Sequence, residues 1–271
     1  MFLVKYFKNS LYSIKGIYSL KDESIVKVLI YFILVATISL LPHNLEIVRE
    51  KGFKLGFISE AYNDEARFDL YDSKVVKVGT AGIRVDDDFV LEVYEFDTFT
   101  LVIDYNDEFE SVENTTLVLK RTSTEYYDSN GSMMVGNYNS FTEDIHFSSL
   151  RFDETLYTTL FTGLEKAFYP FITLFSILVN VSTNFAMYII MIALMAVILG
   201  FLKYRFSHFL SYKEICKILV FSMTLPSVIV FIIGLFGGFA FTPVIMNFMM
   251  GGIAVLTLLK VGKNKLELPT K

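Results

Sequence analysis

The acidic segment IDYNDEFES places side-chain oxygens at alternate positions: Asp104, Asn106 and Glu108. Calcium loops of the EF-hand type begin with this spacing, because their first ligands come from positions 1, 3 and 5. A loop that starts at Asp104 also needs glycine at its sixth position and glutamate at its twelfth, where this chain has Phe109 and Thr115. The sequence therefore predicts a turn shaped by Asp104, with a weak extracellular calcium site as the alternative.

Other residues that could do chemistry are equally dispersed. The three carboxylates of residues 86–88 would point to alternate faces of an extended chain, so they do not converge on one ion. We interpret both acidic segments as solvated turns that close hairpins. The chain contains three histidines, His43, His146 and His208, and no HExxH, GxSxG, Walker or dinucleotide-binding pattern. We expect a protein that is not an enzyme and has no catalytic, cofactor-binding or metal-binding residues.

Composition indicates a membrane protein. The chain has 271 residues, of which 53% are hydrophobic, and its mean hydropathy is +0.48. Three runs contain no Asp, Glu, Lys or Arg, and they cover residues 28–45, 167–202 and 218–259. Each run is long enough to cross a hydrocarbon layer of about 30 Å.

The distribution of charge predicts how the chain is oriented. Residues 1–27, 203–217 and 260–271 together hold 13 basic and 4 acidic side chains, a net charge of +9. Residues 46–166 hold 11 basic and 25 acidic side chains, a net charge of −14. Cytoplasmic loops are enriched in Lys and Arg, so both termini and the basic loop are predicted to be cytoplasmic. The expected location is the plasma membrane, with a multi-pass chain.

This orientation requires four transmembrane helices. Residues 28–45 are predicted to form an uncleaved signal anchor, with a cleaved signal peptide as the alternative. The run at 167–202 is too long for one crossing, so we expect a span at 185–202 and an interfacial helix at 167–184. Residues 218–259 are predicted to cross twice, as a hairpin that turns at Gly234, Gly237 and Gly238.

The apolar runs contain a set of asparagines and a set of methionines. The asparagines are Asn180, Asn184 and Asn247, and we expect them to make interhelical hydrogen bonds. The methionines Met187, Met191 and Met195 recur at helical spacing, which favours helix packing over soft-metal handling. None of the predicted spans contains the charged residues that mark proton or ion pathways.

The segment from 46 to about 150 changes to short stretches with period-two alternation, which predicts strands: FKLGFI, ARFDLY, SKVVKV, FVLEVYEF, FTLVIDY and TTLVLKR. Beyond it, apolar residues recur at helical spacing, at Leu156, Leu160, Phe161 and Leu164. Residues 46–166 are therefore predicted to form an extracytoplasmic β-rich (α+β) domain plus a helix that connects it to the second span. Cys216 is the only cysteine, so an intrachain disulfide is excluded.

Three pieces of the chain resemble a family of bacterial membrane proteins of unknown function, found mainly in Gram-positive bacteria. These pieces are SLYSIKGIY, the strand that ends at Ile103 and Asp104, and SYKE at 211–214, which leads into a span with Pro226. Some members carry the name maltodextrin-utilisation protein. The resemblance implies one anchor, one outer domain and a helical bundle, and it implies no catalytic residues.

The expected function is that of a non-enzymatic accessory or sensory component of the cell envelope, whose outer domain contacts a protein or a wall ligand. The expected partners are the lipid bilayer and another membrane or envelope protein, without nucleic acid or a cofactor. The alternative is a small-solute or lipid transporter, or a transporter subunit, including a maltodextrin-linked one. Its support is the pair of polar breaks predicted at residues 180–184 and at Pro226, since interrupted helices can bind solutes.

Overall fold

The computed structural model describes residues 2–50, 70–95, 100–109, 115–128, 131–206, 210–237 and 242–266. The chain divides into two compact units. One consists of Met1–Glu46 and Leu178–Lys271 and is called the helical unit below. The other consists of Ile47–Ile177 and is called the sheet unit.

The described helices, in chain order, are α1 (Phe2–Tyr12), α2 (Ile14–Ser19), α3 (Ile25–Arg49), α4 (Glu154–Ala167), α5 (Tyr169–Phe206), α6 (Tyr212–Ser222), α7 (Thr224–Leu235) and α8 (Thr242–Leu266). Local capping fixes several starts. Ser13 accepts a hydrogen bond from the Gly16 N–H before α2, and Ser211 and Glu214 form a capping box before α6.

Three helical segments are long and apolar enough to span a membrane: Ile25–Arg49, Tyr169–Phe201 and Tyr212–Leu235. A shorter apolar segment, Val244–Lys260, lies in α8. Large apolar side chains are exposed along these helices, among them Ile25, Leu29, Ile33, Leu174, Leu178, Ile190, Leu194, Ile198 and Ile232. Such exposure is costly in water and is the expected surface of a lipid-facing bundle, so the prediction of a membrane protein is confirmed at this level.

The long helix α5 is unbroken. It contains 38 residues, about 57 Å at 1.5 Å per residue, and it continues through 180–184, where a polar break was predicted. That prediction is wrong, because the asparagine side chains there bond within the bundle and leave the backbone helical. The other predicted break, at Pro226, lies close to the boundary between α6 and α7 at Met223. Met223 itself keeps helical dihedral angles, φ −67° and ψ −19°, and Pro226 occupies the first turn of α7, where a missing N–H is tolerated.

The helical unit has one apolar core. It contains buried side chains from α1 to α3 and from α5 to α8, including Tyr6, Tyr31, Val35, Ala196, Leu219, Phe221, Met246 and Ala254. Two members of the methionine stripe, Met191 and Met195, pack against this core, whereas Met187 is 49% exposed. A side-chain carbon on Gly251 of α8 would overlap the end of Met195. Met191 and Met195 therefore pack helices together, as predicted, and Met187 does not.

The strands of the sheet unit are β1 (Val75–Gly79), β2 (Gly82–Val85), β3 (Glu92–Glu95), β4 (Thr100–Asp104), β5 (Thr116–Lys120), β6 (Ser123–Tyr127), β7 (Met133–Asn137) and β8 (Ile145–His146). They form a three-stranded sheet in the order β2-β1-β8 and a five-stranded sheet in the order β3-β4-β5-β6-β7. All described pairs are antiparallel except β4 with β5, which is parallel. A β-sheet region between the first and second candidate spans is thus confirmed. The predicted strand FKLGFI and most of ARFDLY lie outside the described residues.

Helix α4 supplies much of the sheet unit's core. Asp153 caps it by accepting a hydrogen bond from the Thr155 N–H at 2.8 Å. The predicted apolar positions pack against the strands, with Leu160, Phe161 and Leu164 buried in one cluster together with sheet residues such as Leu101, Leu117 and Leu119. The helix is therefore a structural part of the sheet unit and not only a connection to the next span.

Candidate functional site

The acidic turn after β4 is built around Asp104, which is 1% exposed. One carboxylate oxygen accepts a hydrogen bond from the Glu108 N–H at 2.7 Å, and the other accepts one from the Phe109 N–H at 3.3 Å. The Asn106 amide donates to the Glu108 carboxylate at 3.3 Å. The alternate side chains of this segment thus bond to the turn and to each other, and Asp104 shapes the turn as predicted.

Two details of the predicted turns are wrong. Asp104 is buried and not solvated, and the chain does not return as a hairpin, because β4 and β5 are parallel. The segment 86–88 also closes no hairpin, since β2 and β3 belong to different sheets. Asp88 bonds to the Lys74 ammonium at 2.6 Å, and this hydrogen bond lowers the pKa of the Asp88 carboxyl below its usual range.

A lysine balances the charge of the acidic turn. The Lys120 ammonium lies 3.1 Å from the Asp107 carboxylate and 3.3 Å from the Glu125 carboxylate. Partial burial opposes its charge, but these two carboxylates raise the pKa of Lys120 above its usual value. Within the described part of the chain, no three His, Cys, Asp or Glu side chains come together as a metal-binding group. His208 lies outside that part.

Most polar side chains described in the helical unit form hydrogen bonds within that unit. The Asn180 amide donates to the Asn44 side-chain oxygen at 2.7 Å, so the predicted interhelical bond exists, with a partner that the sequence had not indicated. The interhelical bond predicted for Asn184 is wrong, because its amide bonds within α5, to the Asn180 side chain and carbonyl, in the part of the chain that the structure describes. The buried Asn247 side-chain oxygen has no hydrogen-bond partner among the described residues.

A polar cleft in the sheet unit is the remaining candidate site. It has a volume of about 170 Å³ and lies where the residues after β7 meet α4. Its lining is Ser140, Phe141, Thr142, Glu143, Thr158, Thr159, Thr162, Gly163 and Lys166. The Ser140 hydroxyl donates to the Gly163 carbonyl at 2.8 Å, and a side-chain carbon at Gly163 would lie 2.6 Å from the Phe141 ring. Only glycine allows this close approach, which fixes one wall of the cleft.

The chemistry of the cleft is that of binding. Four threonines and a serine supply hydroxyls, and one carboxylate and one ammonium are exposed beside them. No histidine lines it, and the Ser140 hydroxyl is committed to a backbone carbonyl, so a nucleophile with an adjacent base is not formed by these residues. A volume of about 170 Å³ is below the usual range of about 300–1,000 Å³ for small-molecule pockets. It suits a single side chain or a small polar group.

Sequence reasoning did not find the cleft. Its signal was present on α4, where threonines at 158, 159 and 162 alternate with the buried positions Tyr157, Leu160 and Leu164. A hydroxyl-rich face opposite an apolar one is a weak signal, because threonine is also an ordinary surface residue. Residues 140–143, which line the other side of the cleft, precede α4 in the chain, and only the tertiary structure shows that they lie alongside it.

Replacing Asp104 tests the turn. Both carboxylate oxygens accept a backbone hydrogen bond, and asparagine can replace only one of them, so we expect Asp104→Asn to cost about 1 kcal/mol and Asp104→Ala about 2–3 kcal/mol. Hydrogen exchange of the full-length protein, measured in the peptides that contain β4 and β5, reports the change. Millimolar calcium should leave exchange unaltered in every variant. Calcium-dependent protection in the wild type that disappears in Asp104→Asn would establish the metal site instead.

Comparison with known proteins identifies a family but no biochemical activity. No curated protein and no solved structure matches the chain. One family model does, over residues 4–261, which is nearly the whole sequence and includes both units. The chain therefore belongs to the family described as "Protein of unknown function (DUF1189)".

Proposed function

We propose that the protein is a non-enzymatic accessory or sensory component of the cell envelope. In this proposal the helical unit anchors it in the plasma membrane, and the sheet unit contacts a partner protein or a wall ligand on the outer side. The observation that carries the proposal is the hydroxyl-lined cleft between the residues that follow β7 and α4. Its size suits one inserted side chain, and its lining lacks the arrangement needed for covalent catalysis.

The proposed topology has four spans with both termini cytoplasmic. Its support is the division of charge, +9 on the segments assigned to the inside and −14 on residues 46–166. The fourth span would be the apolar segment of α8. With Cys216 replaced, a cysteine at the exposed Ser132 should react with an impermeant maleimide on intact cells, and one at Lys213 should not. The opposite labelling pattern would reject this orientation.

A substitution that fills the cleft tests the proposed contact. Thr162→Arg should remove a partner that co-purifies with the wild type in mild detergent, because the longer side chain occupies the space. Ser148→Arg adds the same charge at an exposed position outside the cleft and should retain the partner. Equal recovery of the partner with both variants would show that the contact lies outside the cleft. Recovery of the bait alone from wild-type membranes, across growth conditions, would count against a partner of any kind.

The second candidate is a small-solute or lipid transporter. It draws on the boundary between α6 and α7 at Met223, beside Pro226, and on the buried amide oxygen of Asn247 on α8, which has no hydrogen-bond partner in the described part of the chain. If Asn247 serves a solute, Asn247→Leu should abolish uptake into reconstituted vesicles while leaving the protein folded. If the residue is merely unsatisfied, the same change should raise the thermal stability, since an unpaired buried polar group is removed. An absence of uptake by the wild type for every solute tried, maltodextrins included, would exclude this candidate.

A further inference from the structure

The N-terminal helices α1 and α2 pack by one face against the other helices of the helical unit. Tyr6 is 1% exposed, and its ring packs edge-on against the rings of Tyr31 and Phe221, at centroid distances of 5.9 and 5.5 Å. Ile17 and Leu20 are buried in the same core. Residues 2–22 are therefore a folded layer on the bundle.

The depth of this layer follows from the rings that Tyr6 contacts. Tyr31 lies six residues after the start of α3 and Phe221 nine residues after the start of α6, so the two rings lie about 9 and 13 Å along their helices. Helix α1 therefore lies beside the first turns of two span candidates and not beyond their ends. Amphipathic helices in the membrane plane occupy this level, at the boundary between headgroups and acyl chains.

The opposite face of the layer mixes apolar and basic side chains. Val4 is 59% exposed and Tyr12 is 79% exposed, and lysines 5, 8 and 15 are exposed beside them. Neither Lys8 nor Lys15 forms an ion pair with any residue in the described part of the chain. The nearby acidic side chains are already engaged, Asp22 with Lys21 at 2.9 Å and Glu23 with Lys27 at 3.6 Å.

Along the chain, this layer is followed by exposed apolar residues. The first residues of α3 expose Ile25, Val26 and Leu29, each more than half accessible. The exposed residues at the start of α3 are apolar, and the exposed lysines lie just before them in the chain. This order matches the two layers of one leaflet, since apolar residues suit the acyl chains and lysines suit the phosphates. Lysine stems can lie along the apolar layer while the ammonium groups reach the phosphates.

We propose that the outward face of α1 and α2 binds the headgroups of anionic phospholipids, with Lys8 and Lys15 as the main contacts and Tyr12 at the acyl boundary. Ammonium groups without an ion-pair partner in the described part of the chain attract a negatively charged leaflet surface. The occupant is therefore lipid and not a second copy of the chain or a cytosolic protein, and this inference does not depend on the function proposed for the sheet unit.

The chain contains no tryptophan, so Tyr12→Trp creates a single fluorescent reporter in the full-length protein. The protein is reconstituted into vesicles of phosphatidylglycerol and phosphatidylcholine in equal parts, with bromine on the acyl chains of one lipid or the other. We expect brominated phosphatidylglycerol to quench more strongly, on the order of two-fold, because the lysines enrich anionic lipid locally. The preference should decrease in high salt.

Three variants separate the explanations. Lys8→Gln with Lys15→Gln should make quenching by the two lipids equal, whereas Lys8→Arg with Lys15→Arg should keep the preference. A reporter at Phe236, 87% exposed after α7, is a control that should show no preference. Equal quenching by both lipids at position 12 in the otherwise unaltered protein would overturn the proposal. Quenching by neither lipid would also overturn it, since a second copy or another protein would then cover the face.

Discussion

Replacing Gly82 with alanine is expected to destabilise the sheet unit by about 3 kcal/mol or more. Gly82 has φ of +108°, a conformation that costs other residues about 1–3 kcal/mol. A side-chain carbon there would also overlap the Arg121 carbonyl oxygen, which accepts a hydrogen bond from the Ile83 N–H at 3.1 Å. Relieving that overlap shifts backbone, at a cost of roughly 1–3 kcal/mol. The change therefore weakens the contact between β2 and the turn that joins β5 to β6.

Gly131 provides the matched control for this prediction. Its φ is +79°, but a side-chain carbon there would meet nothing within 4 Å, so Gly131→Ala should cost only the conformational strain, about 1 kcal/mol. Urea unfolding of the full-length protein in detergent, followed by hydrogen exchange in peptides of the sheet unit, compares the two variants. Equal losses at both positions would mean that the contact with Arg121 relaxes at no cost and that strain alone matters.

The five-stranded sheet shows what alternation in a sequence does and does not determine. Leu101 and Ile103 of β4 share a face with Leu117 and Leu119 of β5, as the period-two pattern predicts. The same pattern fits either strand direction, because reversing a strand keeps its alternate residues on one face. Direction depends on the connection through residues 105–115, and the hairpin predicted there was the wrong choice.

Four strands went unpredicted because of their length and composition. β2 has the sequence GIRV, β6 has STEYY, β7 has MMVGN and β8 has only two residues. Each is too short or too polar for alternation to stand out from a loop. Of these four, only β8 pairs with a described strand distant in sequence, β1, and Gly136 of β7 packs closely against Ala167 at the end of α4. The long apolar runs were predictable, since hydropathy over 18 or more residues needs no tertiary information.

The N-terminal layer and the polar cleft were missed for different reasons. In α1 the residues between the buried Tyr6 and Ser10 are a phenylalanine, a lysine and an asparagine, so the sequence of residues 1–27 indicates only a basic segment with no fold of its own. The cleft depends on Ser140 reaching the Gly163 carbonyl, a contact between side chain and backbone that leaves no periodic signal. Both features become visible only when the partner surface is known.

Tyr6→Ala is expected to detach α1 from the helical unit. Loss of a buried aromatic side chain costs about 3–5 kcal/mol when its surroundings cannot collapse, and the Tyr6 ring packs edge-on against both Tyr31 and Phe221, whose own rings lie 5.1 Å apart. Helix α1 has 11 residues, too few to be stable in isolation, and its further apolar contacts with the core come from Phe2, Leu3 and Phe7, which are less buried than Tyr6. In nanodiscs, the rate of tryptic cleavage after Lys8 should rise by at least ten-fold, because about 1.4 kcal/mol of lost docking already corresponds to that factor.

Tyr6→Phe separates packing from the hydroxyl. Burial, followed by the nearby Glu23 carboxylate, raises the pKa of Tyr6 to about 12, so the ring is neutral at physiological pH and phenylalanine preserves its contacts. Its cleavage rate should therefore stay within about two-fold of the wild type, since the Glu23 side chain that bonds the hydroxyl is 26% exposed and can bond to water in its place. Rapid cleavage of Tyr6→Phe would show that the hydroxyl and Glu23 hold α1. Slow cleavage of Tyr6→Ala would show that the bilayer itself retains the helix through its basic face, without help from the aromatic contact.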